Sequence, residues 1–264
     1  MHRSTLACLP FLIAAPLLAQ PQIGGGACNS ASLSGTYSLS LSGRDLSSAV
    51  AFSNVLQGIG TAAFDGLSKV TFTLTNNTQK QFGVGQTLSG TYSMQANCIG
   101  TVNITSGDMA TFTLGSYNEP AQELPAFAFF IDGQDGVYSF LGNGNLLPAA
   151  GCTASLLSGI YAFNGNGFAL TSSAISGVNS ISGLMQFDGT SAITTNWYVS
   201  TSGSSTNTTT SGSYTVTSGC TGTATVTDPA GNSYSLVFTV TSKNNFAVSG
   251  ANSQIIFTGN GRIL

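Results

Sequence analysis

The chain has 264 residues, a net charge of −3 and only 6% charged side chains, against roughly 25% in an ordinary soluble domain. Ser and Thr supply about a quarter of it, and Gly adds 33 residues. With six Lys+Arg against nine Asp+Glu there is no basic surplus to neutralise phosphates, which argues against nucleic acid as a partner.

Met1–Ala19 reads as a secretory signal. Arg3 gives the positive start, Leu6–Leu18 the apolar run, and Leu17-Leu18-Ala19 a small residue at the cut. The run is shorter than the 20 or so residues of a membrane span, and no later stretch has that length, so no transmembrane segment is expected. Removal of residues 1–19 takes away His2, the only histidine. Residues 20–27 form a short N-terminal segment. Four cysteines remain, an even number suited to two disulfides in an exported chain.

From Cys28 onward the sequence repeats itself. Cys28 and Ser34-Gly35-Thr36-Tyr37 return as Cys152 and Ser158-Gly159-Ile160-Tyr161. Phe64-Asp65-Gly66 returns as Phe187-Asp188-Gly189. Ser89-Gly90-Thr91-Tyr92, followed by Cys98, returns as Ser211-Gly212-Ser213-Tyr214, followed by Cys220. Phe140-Leu141-Gly142-Asn143-Gly144 returns as Phe257-Thr258-Gly259-Asn260-Gly261. Anchors kept in order point to a tandem duplication, with one unit over residues 28–147 and the second over 151–264. Each unit is long enough to bury its own core. Four cysteines allow three pairings. Pairing within copies, Cys28 with Cys98 and Cys152 with Cys220, lets each unit close itself, whereas the alternatives cross between copies or leave thiols free.

Within each unit the hydrophobic period is two. Leu33, Tyr37, Leu39 and Leu41 share one face, against Ser34, Thr36, Ser38 and Ser40 on the other. Tyr234, Leu236, Phe238 and Val240 alternate with Ser233, Ser235, Thr239 and Thr241. Such alternation, rich in Thr, Tyr, Phe and Val, is that of strands with one buried face. Only Asp45–Leu56 offers a short helical pattern. Turn chemistry separates the runs at Asp65-Gly66, Gly107-Asp108, Asp132-Gly133, Asn143-Gly144, Asp188-Gly189 and Pro229-Ala230-Gly231. The Ser/Thr/Asn tract Thr201–Ser211 and its counterpart Asn76–Gln86 read as longer loops. The expectation is all-β: two tandem antiparallel units of about eight strands, each an up-and-down barrel or, alternatively, a two-sheet sandwich.

The segments Leu33-Ser34-Gly35-Thr36-Tyr37 and Leu88-Ser89-Gly90-Thr91-Tyr92 are similar to the strand openings of avidin- and lipocalin-type (calycin) barrels, where a Gly-x-aromatic motif opens a strand near the closed end. The resemblance implies a barrel with an interior ligand pocket. The chain has one tryptophan, Trp197, where avidins stack several around biotin, so the resemblance is one of fold.

Chemistry is constrained mostly by what is missing. Without a histidine after residue 19, His-based nucleophile systems and histidine-ligated metals are excluded. No Ser-x-x-Lys or Asp-Thr/Ser-Gly signature occurs. Glu119 and Glu123 share a proline-bounded loop but have no counterpart in the second copy, so they read as solvated rather than as a glycosidase pair. Asp132-Gly133-Gln134-Asp135-Gly136 is shorter and less acidic than a calcium loop and reads as a hairpin turn. Trp197 and Tyr198 sit on opposite faces of one strand, one for the core and one for solvent. Asn76, Asn103 and Asn207 fit the N-glycosylation pattern. No catalytic residue, metal or cofactor is assigned. The expected protein is a secreted (extracellular or periplasmic), non-enzymatic binding module for an apolar small molecule or a glycan, held in a barrel mouth or by end loops. The alternative is a structural or adhesive protein that self-associates through weakly charged β-surfaces.

Overall fold

The structure is a computed structural model that describes residues 28–45, 55–78, 82–106, 111–117, 126, 128–134, 138–171, 174–201 and 203–264. Met1–Ala19, read above as a secretory signal, residues 20–27, the centre of the Asp45–Leu56 pattern, Gly107-Asp108, the Glu119/Glu123 loop and Asp135-Gly136 lie outside the described residues.

Among the described residues, sixteen strands follow one another in two sets of eight: β1 (Ser34–Asp45), β2 (Val55–Asp65), β3 (Lys69–Thr78), β4 (Val84–Met94), β5 (Ile99–Ile104), β6 (Thr111–Tyr117), β7 (Ala128–Gln134) and β8 (Tyr138–Asn145), then β9 (Ser158–Thr171), β10 (Ala174–Asp188), β11 (Ala192–Thr201), β12 (Ser204–Val216), β13 (Thr221–Thr227), β14 (Ser233–Ser242), β15 (Asn245–Ala251) and β16 (Ile255–Ile263). Every consecutive pair within a set is antiparallel, and each set closes, β1 onto β8 and β9 onto β16. Both units are therefore up-and-down barrels. Closure pairs the strand edges that a sandwich would leave open. Where the β1–β8 ladder thins, the Ser38 hydroxyl accepts from Asn145 N and donates to Asn145 O.

The alternation is apolar inward and polar outward, the reverse of a lipid-facing barrel. At one end the duplicated motifs build a seal. In the first barrel Tyr37, Phe64, Tyr92 and Phe129 meet edge to face, with centroids 5.0–5.6 Å apart. In the second, Tyr161, Phe187, Tyr214 and Phe246 meet at 5.0–5.6 Å. This packing adds to the burial term. A single 3-10 turn, Ser30–Ser32 or Ala154–Leu156, plugs the barrel beneath these rings. Tyr92 Oη donates to the carbonyls of Ser30 and Leu33, and Tyr214 Oη to those of Ala154 and Leu157. Burial pushes the phenols of Tyr37, Tyr92 and Tyr214 up to about 12, so they stay protonated donors.

Cys28 bridges to Cys98 and Cys152 to Cys220, with Cα atoms 5.0 and 4.8 Å apart. Each bridge ties the plug to the β4–β5 or β12–β13 hairpin. Cys98 and Cys220 both adopt positive φ (64° and 63°), the left-handed turn position usually given to Gly or Asn.

Four turn and loop assignments change. Asn143-Gly144 lies inside β8 rather than in a hairpin: a Cβ on Gly144 would sit 2.4 Å from the Phe129 ring, and one on Gly261 2.2 Å from the Phe246 ring. The repeated Phe-x-Gly-Asn-Gly thus leaves room for a neighbour's ring, not for a turn. Likewise Ser204–Ser211 belongs to β12, paired with β11, and Asn76–Thr78 and Val84–Gln86 extend β3 and β4. The β-branching of threonine outweighs polarity in a strand whose ladder is complete. Asp132-Gly133-Gln134 also lies in a strand, β7.

The barrels pack side by side. β2 is buried continuously from Val55 to Gly60, and β15 from Phe246 to Ala251. One face of each strand serves its own core, and the other serves the contact. The outward Val55, Gln57 and Ile59 of β2 meet small residues, Ala247, Ser249 and Ala251 of β15, beside Ile256 and Thr258 of β16. Asn77 Nδ2 donates to Ser249 Oγ at 2.7 Å, and Thr258 Oγ1 to Gln57 Oε1 at 2.6 Å.

Candidate functional site

Among the described residues, buried apolar side chains line the interiors of both barrels. In the second barrel Phe163, Trp197, Tyr234 and Phe257 extend the ring packing upward from the seal, and all four are buried. Trp197 is a core residue, and Tyr198 faces solvent.

The open space lies instead along the seam between the barrels. Three connected stretches, of about 610, 450 and 320 Å³, share Asn164 and Asn260 at one junction and Ser42 and Leu141 at the next. They form a trough. One wall is β8 and β1 of the first barrel, presenting Asn145, Leu141, Ser40 and Ser42. The other is β16 and β9 of the second, presenting Asn260, Asn164, Asn166 and Thr258.

Strand register explains the wall. Asn260 stands opposite Asn164, and Thr258 opposite Asn166, on the outward face of β16 and β9. Two-residue periodicity then keeps all four carboxamides and hydroxyls pointing the same way. At the floor, the buried Gln57 amide donates to Ser42 Oγ at 3.2 Å and accepts from Thr258 Oγ1. It locks the two walls together from below. Arg262 lines one end of the trough, and Arg44 with Asp132 the other. Between them the lining is neutral and hydrogen-bonding, with Leu146, Leu141 and Phe168 as apolar spots.

A carboxamide offers donors and acceptors at once, and a hydroxyl does the same. This lining suits a neutral polyhydroxylated ligand better than an ion or a hydrocarbon. Among the described residues, no group of three or more His, Cys, Asp or Glu is placed to hold a metal ion. Also among the described residues, no helix is long and apolar enough to cross a membrane. Asn103 and Asn207 are exposed, whereas the Asn76 amide donates to Gln86 Oε1 at 2.9 Å. The trough residues carry no motif of their own, and sequence reasoning missed them. The signal was present only as a cluster of Asn at alternate positions in Phe163–Gly167 and Gly259–Gly261.

No protein-family model matches this sequence, and no curated protein matches it. Among solved structures it is similar to a redesigned β-barrel, mFAP1, bound to DFHBI, at 17% identity and a TM-score of 0.32, over 42% of this chain and 97% of that one. A de novo designed fluorescence-activating β-barrel is 17% identical with a TM-score of 0.31, over 43% and 99%. A protein of unknown function from the DUF3598 family of Nostoc punctiforme is 9% identical with a TM-score of 0.28, over 88% and 97%. These neighbours are β-barrel folds, and the likeness extends no further than that.

Proposed function

We propose that the protein is an exported, non-enzymatic binding module whose ligand is a glycan lying in the trough between its barrels. The observation that carries this reading is the continuous, neutral, amide- and hydroxyl-lined trough, set against a second barrel whose interior is packed with rings. An open channel admits a chain from either end, as a closed pocket does not. The apolar spots Leu141 and Phe168 suit the faces of sugar rings, and the amides suit their hydroxyls. Two disulfides that tie the plugs in place fit an oxidising compartment.

The test is affinity electrophoresis and calorimetry of the oxidised protein against neutral hexose polymers and a polyuronate. Retardation by at least one of them is expected, weakened about tenfold by combining Asn164→Ala and Asn260→Ala, since each lost hydrogen bond is worth about 0.5–1.5 kcal/mol. No retardation by any polymer, or binding untouched by the double substitution, overturns the proposal.

A further inference from the structure

The contact between the two barrels is not symmetric. The first barrel uses its second strand, β2, flanked by β1 and β3, while the second uses its seventh, β15, flanked by β14 and β16. Because the barrels are copies, each also carries the face that the other one uses. Phe64 and Phe187 correspond, 123 residues apart, and pair with Val70 and Ile193 in the same register. Val55, Thr61 and Thr75, on or beside the docking face of the first barrel, therefore correspond to Val178, Leu184 and Tyr198. Phe140 and Phe257 correspond, 117 residues apart, with Phe130 opposite Asn143 and Ala247 opposite Asn260. The receiving face at Ala247 and Thr258 thus corresponds to Phe130 and Leu141.

Each of these second faces carries exposed large apolar side chains, set among polar ones such as Ser180, Ser182 and Asp132. Val178, Leu184 and Tyr198 are 54%, 43% and 51% exposed, and Phe130 and Leu141 are 55% and 65% exposed. Among the described residues, these five are nearly half of the exposed large hydrophobics. In a chain whose outward positions are otherwise largely Ser, Thr and Asn, that concentration marks contact surfaces. A contact between unlike faces leaves one of each free at the two ends, so it propagates into rings or filaments. With 6% charged residues, little electrostatic repulsion opposes this association.

We propose that a second copy of this chain docks head to tail, its β7–β8 face receiving the β10–β11 face of the first, as an extension of the contact already made inside each molecule. Phe130 stands where Ala247 allows close approach, so the faces are reused and the side-chain detail is new. Leu141 also lines the trough, so a docked copy and a ligand in the trough compete for it, and the association is measured without added polymer.

Sedimentation velocity of the oxidised protein from about 1 μM to about 1 mM, a range that spans ordinary weak to moderate association, gives the test. The wild type is expected to rise past the mass of two chains. Leu184→Asp removes one face and Phe130→Asp the other, and each alone is expected to raise the midpoint of association at least tenfold, as loss of a central apolar anchor does. Mixed together, the two variants still hold one intact face each and are expected to stop at the mass of two chains. Near-UV circular dichroism checks that each variant is folded, and Tyr198→Asp replaces Leu184→Asp if that one is not. A wild type that stays monomeric throughout overturns the proposal. So does a mixture that forms no dimer, or a single variant that assembles like the wild type.

Discussion

The two barrels share one lower half and differ in the upper. The plug, the bridge, the Tyr/Phe seal and the Asp-Gly turn correspond residue for residue. Above them, the inward positions Leu56, Phe72, Leu74 and Leu88 of the first barrel become Asn179, Thr195, Trp197 and Thr210 in the second. Phe72 faces Leu88 across β3 and β4, and Thr195 faces Thr210 across β11 and β12, with the two hydroxyls 2.7 Å apart. Along β3 and β11 the exchange nearly balances: a ring is lost at Thr195 and a larger one gained two residues on, at Trp197. Total volume and pattern matter more to a core than the identity of each side chain. The seal is different, because each of its hydroxyls has a fixed carbonyl to meet.

If the lower halves are equivalent, so are their bridges. Cys28–Cys98 and Cys152–Cys220 close loops with separations of 70 and 68 residues. On the chain-entropy relation each stabilises its barrel by about 4 kcal/mol. Replacing either pair with Ala is expected to cost nearly the same, read from urea denaturation midpoints at constant slope. A twofold difference between the two pairs would break the equivalence and show that one plug holds without its bridge.

The upper halves yield a smaller effect of opposite sign. Asn179 is buried, and neither amide atom has a protein hydrogen-bond partner. Its counterpart is Leu56. An unsatisfied buried amide costs about 1–3 kcal/mol, so Asn179→Leu is expected to stabilise the protein by about 1–2 kcal/mol, seen as a higher melting temperature. A fall in melting temperature would mean that the amide has a partner the lumen supplies, and that the upper half of the second barrel is built to hold it.

The lower halves were legible in the sequence, and the seam was not, for physical reasons. Cysteine pairing, strand number and the Gly-x-Tyr openings repeat, and each is fixed by contacts inside one unit. The run Val55–Gly60 lacks the alternation seen elsewhere. That was a sign of burial on both faces, but not of what covers the outer one. Ala247, Ser249 and Ala251 look like any solvent-facing small residues until β2 lies on them. Thr201–Ser211 reads as a loop because both its faces are polar, yet threonine supports a strand at a barrel rim. The trough followed the seam out of reach: Asn164 and Asn260 are polar exterior positions by pattern, and only the second wall makes them a site.

The Asp-Gly turns give the subtlest contrast between the barrels. Asp65 Oδ1 accepts from the amides of Leu67, Ser68 and Lys69, and Asp188 Oδ1 from those of Thr190, Ser191 and Ala192, at 2.8–2.9 Å. Of the two, Asp188 alone also receives a hydroxyl, from Thr190 Oγ1; Leu67 occupies that place in the first barrel. The Lys69 and Leu67 amides lower the Asp65 pKa below its usual 3.8. The Thr190 hydroxyl, followed by the Thr190 amide, holds Asp188 well below 3.8. A carboxyl lowered on folding stabilises fully above its unfolded pKa, and that stabilisation drains away as pH falls below about 3.8 through the folded value. Thr190→Val brings Asp188 closer to Asp65. The variant is expected to be slightly less stable than wild type at neutral pH, with the two stability curves converging as pH falls below about 3.8. Curves that stay parallel into acid would assign the loss to packing around Thr190 instead of to the charge on Asp188.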